Sequence, residues 1–142
     1  MIKKRILTAI SSILIMTLSG VSQAVELELY PQHNKGGSLS DGVRIAKGLI
    51  ICRDVHSSFH LWMNTQKAGG QSGHYTIKGQ TNSQHEIRVR LSGDGWSPST
   101  GEDQNGMVKI GNDERAIFDV LLDGNQYVAP GEYIFTVRGL CL

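Results

Sequence analysis

Short runs of alternating apolar and polar residues, each closed by glycine, asparagine, aspartate or serine, recur through this chain and decide its fold class. Val25-Glu26-Leu27-Glu28-Leu29-Tyr30 alternates with a period of two, as does Glu86-Ile87-Arg88-Val89-Arg90-Leu91. In an extended strand that period sends every second side chain to one face, so Ile87, Val89 and Leu91 are expected inside and Glu86, Arg88 and Arg90 outside. Residues 43–53 predict a long strand whose middle, Leu49-Ile50-Ile51-Cys52, is apolar on both faces and therefore central. Phe59, Leu61 and Met63 alternate with His60, Trp62 and Asn64. A weaker strand is expected over 75–78 and further strands over 116–122 and 133–141. Residues 31–41, 68–73 and 92–105, Asp123-Gly124-Asn125 and Ala129-Pro130-Gly131 carry turn chemistry. No stretch of ten or more residues shows a capped helical period. The pattern predicts an all-β antiparallel sandwich. The antibody subclass has a tyrosine two residues before its second cysteine, whereas here Tyr133 precedes Cys141 by eight, so the sandwich is of another type.

The first 24 residues do not belong to that sandwich. Lys3, Lys4 and Arg5 form a basic start, and residues 6–18 form an apolar run broken only by threonine and serine. Ser22-Gln23-Ala24 supplies the small residues of a signal-peptidase site. Cleavage between Ala24 and Val25 is expected, giving a signal peptide over 1–24 and a single domain over 25–142. Three of the fourteen Lys and Arg and none of the thirteen Asp and Glu lie in the leader, so the mature domain carries a net charge of −2 with histidine neutral. That balance gives no basis for nucleic-acid binding, which rests on phosphate neutralisation. The mature part has no apolar run near the ~20 residues that span a bilayer.

An exported chain meets an oxidising compartment, and its two cysteines, Cys52 and Cys141, allow one intramolecular disulfide. A redox or metal pair is the weaker reading, because the spacing is far from C-x-x-C and no further ligands lie near. Both cysteines fall on predicted strands. Only Leu142 follows Cys141, so the last strand runs to the end of the sequence. A sandwich ending there is expected to lack the strand that closes one sheet, which leaves an open edge for a strand from another chain. Self-complementation through residues 25–30 is the alternative.

Other constellations carry little chemistry. His56 and His60 are four apart, a metal spacing on a helix, but in a strand they lie roughly 13 Å apart, so polar strand-face histidines are expected. Ser57, Ser58 and Asp54 with the histidines lack the G-x-S-x-G elbow of a hydrolase, and Glu102 and Asp103 sit in a loop. Gly93-Asp94-Gly95 lacks the remaining ligands of a calcium loop. No catalysis, metal or cofactor is expected. Arg88 and Arg90 are candidates for a receptor face, since arginine is favoured at interfaces. Trp62 and Trp96 are candidate sugar platforms, which keeps a free-standing secreted carbohydrate-binding sandwich as the alternative function.

Across the domain the chain resembles the D-type invasin subunits of the Afa/Dr adhesin family, which include minor subunits of aggregative adherence fimbriae. The segments that carry the resemblance are Asp41-Gly42, Gly48-Leu49-Ile50-Ile51-Cys52-Arg53, Phe59-His60-Leu61-Trp62-Met63-Asn64 and His85-Glu86-Ile87-Arg88-Val89-Arg90. Gly93-Asp94-Gly95-Trp96-Ser97-Pro98, Phe118-Asp119-Val120, Asp123-Gly124-Asn125-Gln126 and Ala129-Pro130-Gly131-Glu132-Tyr133 complete it. The resemblance implies an incomplete immunoglobulin-like sandwich that needs a donor strand, and it carries Cys52 and Cys141 over as the disulfide pair. It implies a minor fimbrial tip subunit, an adhesin or invasin. A periplasmic chaperone and an outer-membrane usher would export it to the cell surface, and a major fimbrial subunit would be its strand donor. Integrins are the host-receptor class suggested. Tyr133, Phe135 and Val137 on the last strand are the candidate acceptor groove. Because the first strand begins at Val25, no extension remains ahead of it to donate, and the subunit is expected to cap a fibre.

Overall fold

A computed structural model of the chain describes residues 6–8, 14–18, 25–32, 36–63, 72–82, 84–99 and 106–142. Among them are thirteen strands and no helix: β1 (Ile6–Thr8), β2 (Leu14–Leu18), β3 (Val25–Pro31), β4 (Gly37–Leu39), β5 (Arg44–Cys52), β6 (Ser58–Met63), β7 (His74–Lys78), β8 (Glu86–Ser92), β9 (Trp96–Pro98), β10 (Met107–Ile110), β11 (Arg115–Leu122), β12 (Gln126–Val128) and β13 (Tyr133–Cys141). One sheet runs β3-β5-β11-β8-β7 and the other β1-β2-β13-β6-β10-β9, while β12 and β4 form a separate ribbon. The ladders are antiparallel, except that β2 runs parallel to β13.

The alternation seen in the sequence becomes the packing between sheets. Leu27, Leu29, Ile87, Val89, Leu91, Phe118 and Val120 from one sheet face Phe59, Leu61, Met63, Phe135 and Val137 from the other, all buried. Two glycines make room at the centre. Gly48 lies opposite Phe118 in the β5–β11 ladder, and a Cβ there would sit 2.1 Å from the phenyl Cζ, so the ring occupies the missing side chain's space. Gly139 on β13 leaves room for Ile50 and Leu27, which reach across from the opposite sheet. Near the start of β5 the register shifts, with Ala46 facing Val120 and Arg44 facing Leu121. This bulge inserts Ile45 and lets both Ile45 and Ala46 be buried.

Cys52 ends β5 and Cys141 ends β13, and their disulfide joins the two sheets with a Cα–Cα distance of 6.4 Å. Trp96 makes a second link. Its ring centroid is 6.4 Å from that of Phe59 and 6.3 Å from that of Phe118, and its Nε1 donates to the Ile117 carbonyl at 2.8 Å. The Tyr133 hydroxyl donates to the Ala129 carbonyl at 2.6 Å. That is the back-bond of a tyrosine corner, placed at the start of the last strand rather than two residues before the cysteine.

Two expectations change. Residues 25–30 do not fill an open edge: β3 pairs with β5 along its length, from Val25 opposite Cys52 to Pro31 opposite Ala46, because that ladder turns Val25, Leu27 and Leu29 into the core. Residues 31–41 are not turn alone, since β4 forms there by pairing with β12.

Candidate functional site: a strand edge and a braced ribbon

The expected acceptor residues lie together on the first half of β13. Tyr133, Phe135 and Val137 point inward and are 1%, 3% and 0% exposed. From Val137 to Cys141 the strand is held by β6 on one side. From Tyr133 to Val137 its other side is taken by β2, in parallel register, with Leu14, Met16 and Leu18 opposite Tyr133, Phe135 and Val137. The β13 edge is therefore paired by a segment that falls within the expected leader. Main-chain groups supply the pairing and every second residue of β13 faces the core, which is the geometry of strand addition. Ala24 lies outside the described residues, and Val25 opens β3.

A second feature lies where β4, β8 and β12 meet. Arg90 was expected on an open polar face, but its side chain is only 24% exposed. One guanidinium nitrogen donates to Asp41 Oδ1 at 2.6 Å, to Asp123 Oδ1 at 3.1 Å and to the Leu122 carbonyl at 3.1 Å. His74 Nδ1 lies 2.8 Å from the other Asp123 oxygen. The Arg90 hydrogen bond, with a second from the Gly124 N–H, holds the Asp41 carboxyl below the usual aspartate range, and the same ion pair raises the Arg90 guanidinium. The Asp41 N–H donates to Asn125 Oδ1 at 2.8 Å. Gln126 then copies a strand partner: its Oε1 accepts from the Arg88 N–H, and its Nε2 donates to the Arg88 and Asp123 carbonyls. Arg90 and Gln126 thus brace the ribbon onto β8, while the Arg88 side chain stays exposed.

The remaining candidates separate. Trp96 is no sugar platform, since it is 9% exposed and packed between Phe59 and Phe118. Trp62 is half-buried on the outer sheet face, opposite Arg138. His56 is not on a strand face. It precedes β6, is buried at 8% exposure, and sits between the Asp54 and Asp113 carbonyls at 2.7 Å each, with its ring against Phe59. His60 lies on the outer face of β6, 3.1 Å from Ser58 Oγ, and burial lowers its pKa. Ser57 and Ser58 donate to the Leu142 carbonyl, an arrangement that closes the strand end rather than building a nucleophile. No cluster of metal-binding side chains exists among the described residues. Glu102 and Asp103 lie outside them. Sequence reasoning missed the ribbon, whose only signal is Gln126-Tyr127-Val128 between two turns.

The chain is similar to known proteins in sequence and fold. The family model described as the Enterobacteria AfaD invasin protein matches residues 35–139. Protein AggB of Escherichia coli is 44% identical over 142 residues, covering 100% of this chain and 97% of AggB. The E. coli Hda pilus minor tip subunit, HdaB, is 37% identical with a TM-score of 0.79, over 84% of this chain and 83% of that one. A chain from the enteroaggregative E. coli AAF fimbriae, studied for fibronectin binding and biofilm formation, is 45% identical with a TM-score of 0.76, over 83% of this chain and 85% of that one.

Proposed function

We propose, from the premise that this chain belongs to the AfaD invasin family, that it is a minor fimbrial tip subunit that contacts host cells as an adhesin or invasin and catalyses nothing. The observation that carries this is the partner of β13: residues 133–137 pair with residues 14–18, which lie in the expected leader. Cleavage between Ala24 and Val25 removes that partner and leaves Tyr133, Phe135 and Val137 lining an open edge. An unpaired edge over an apolar core is an aggregation hazard, so another strand must take it. A periplasmic chaperone supplies the strand first, an usher passes the subunit on, and the major fimbrial subunit then becomes the donor at the cell surface. Because β3 is committed to β5 from Val25 onward, cleavage leaves no extension ahead of that strand to donate, and the subunit ends the fibre. The Cys52–Cys141 disulfide forms during passage through the periplasm. The host partner is a protein of the epithelial surface, an integrin or the fibronectin named for the AAF relative, and the exposed Arg88 belongs to the receptor face.

Periplasmic expression with and without a fimbrial chaperone, followed by size-exclusion chromatography, tests the assembly reading. A 1:1 complex with the chaperone, and loss of the chain without it, is the expected result. A stable monomer in both cases would refute it. Purified chain that polymerises by itself would refute the capping role. Adhesion of fimbriated cells to immobilised integrin and fibronectin, compared between wild type and Arg88→Ala, tests the receptor assignment.

A further inference from the structure

The outward face of the β4–β12 ribbon is not needed for strand exchange, yet it is built with care. Tyr127 pairs with Ser38 and Gln126 with Leu39, and Asn125 and Ser40 follow just beyond that end of the ladder. Tyr127 and Ser38, directly opposite, share the outward face, and Asn125 and Ser40 are exposed beside them, while Val128 turns into the core and Leu39 packs against it. Tyr127 is 70% exposed. The face lines an open concavity of ≈ 360 Å³ formed by Ser38, Leu39, Ser40, Asn125, Gln126 and Tyr127. None of the lining residues is charged.

We propose that this face is a shallow binding site for a neutral pyranose. The apolar C–H face of the sugar ring stacks on the Tyr127 ring, and the sugar hydroxyls meet the Ser38 and Ser40 hydroxyls and the Asn125 carboxamide. The carboxamide is already oriented, because its oxygen accepts from the Asp41 N–H, and this leaves its NH2 donors for the ligand. The Arg90–Asp41–Asp123 brace holds the ribbon in that geometry before any ligand arrives. Anionic sugars are disfavoured, because the Asp41 carboxylate stands beside the face while Arg90 is already shared between two carboxylates. The site rests on the adhesin reading only for its source of sugar, the neutral end of a host-surface glycan.

The test is an NMR titration of the isotope-labelled chain, in its chaperone-bound form, with methyl β-galactopyranoside, methyl α-glucopyranoside and N-acetylglucosamine up to tens of millimolar. Saturable shifts at residues 38, 40, 125 and 127 with at least one sugar are expected. Tyr127→Ala should weaken binding about tenfold or more, whereas Tyr127→Phe, which keeps the ring, should stay within about threefold. No saturable shift with any of the three sugars, or binding that survives Tyr127→Ala, would overturn the site. Chaperone dependence is scored in parallel on chain expressed without the chaperone: a stable chain that binds sugar there would keep the site and defeat the fimbrial reading. No saturable shift with any of the sugars, together with intact chaperone dependence, would do the reverse.

Discussion

Removing the disulfide should cost this domain a large share of its stability, and the size follows from where the two cysteines lie. Cys52 and Cys141 are 89 residues apart in sequence and close the end of the sandwich between β5 and β13. In the chain-entropy treatment a loop of that length restricts the unfolded ensemble by about 4.6 kcal/mol at 25 °C. Domains of this kind have total stabilities of only about 5–15 kcal/mol. A Cys52→Ala/Cys141→Ala variant should therefore lose about 3–5 kcal/mol, and it should show a larger urea m-value because its unfolded state is less compact. Urea unfolding of the donor-complemented chain, followed by tryptophan fluorescence, reads both quantities, since Trp96 is packed between the two sheets. A loss below about 1 kcal/mol with an unchanged m-value would refute the entropic argument. It would mean that residual structure already restricts the unfolded chain about as much as the covalent link does.

Two further outcomes follow from single contacts. Gly48→Ala would place a methyl group 2.1 Å from Phe118 Cζ. The ring must move, and thermal unfolding should show a loss at or above the upper end of the ~1–3 kcal/mol typical of overpacking, part of it recovered by adding Phe118→Leu. Asp41 sets a pH dependence: its Arg90 and Gly124 hydrogen bonds hold its folded pKa below the unfolded value. The contribution is thus complete above the ordinary aspartate range and is lost as pH falls through the lower folded value. The Gly124 amide, which donates to Asp41 Oδ1 at 2.7 Å, should keep its NMR shift from neutral pH down through the ordinary range and move only below it. A titration of that amide within the ordinary range would show that the brace is not formed in solution.

Much of the sandwich is legible because period-two alternation is a strong signal wherever a strand has one buried face. The expected strand over 133–141 has the bounds of β13, and β3, β8 and β11 fall where the alternation puts them. What stayed hidden depends on partners distant in sequence. β4 and β12 are three residues each and exist because they pair with each other and because Gln126 mimics a strand against β8. Neither has enough residues to show a period. The burial of His56 and the locked state of Arg90 were equally invisible. Both depend on groups far along the chain: the Asp113 carbonyl for His56, and Asp41 and Asp123 for Arg90. Trp96 could be read as platform or anchor until Phe59 and Phe118 were seen to enclose it.

The two halves of β13 should differ in how firmly they are held, and that difference joins fold to function. From Val137 to Cys141 the strand has its β6 ladder and, at its end, a covalent bond to β5. From Tyr133 to Val137 the ladder on its outer side depends on β2. Local opening follows such differences in support, so exchange of backbone amides reports them directly. In the mature chain released from its chaperone, amides at 133–136 should exchange much faster than those at 138–141, and a donor peptide alternating apolar and polar residues should protect the first group and leave the second unchanged. Uniform protection along the strand before any peptide is added would mean that some other segment already covers the edge. Strand exchange would then not be how this subunit is built into a fibre. A gradient would instead show that the disulfide keeps the far half of the strand in register while the near half waits for its partner. That is what a subunit needs if it is to accept one donor and then another without unfolding in between.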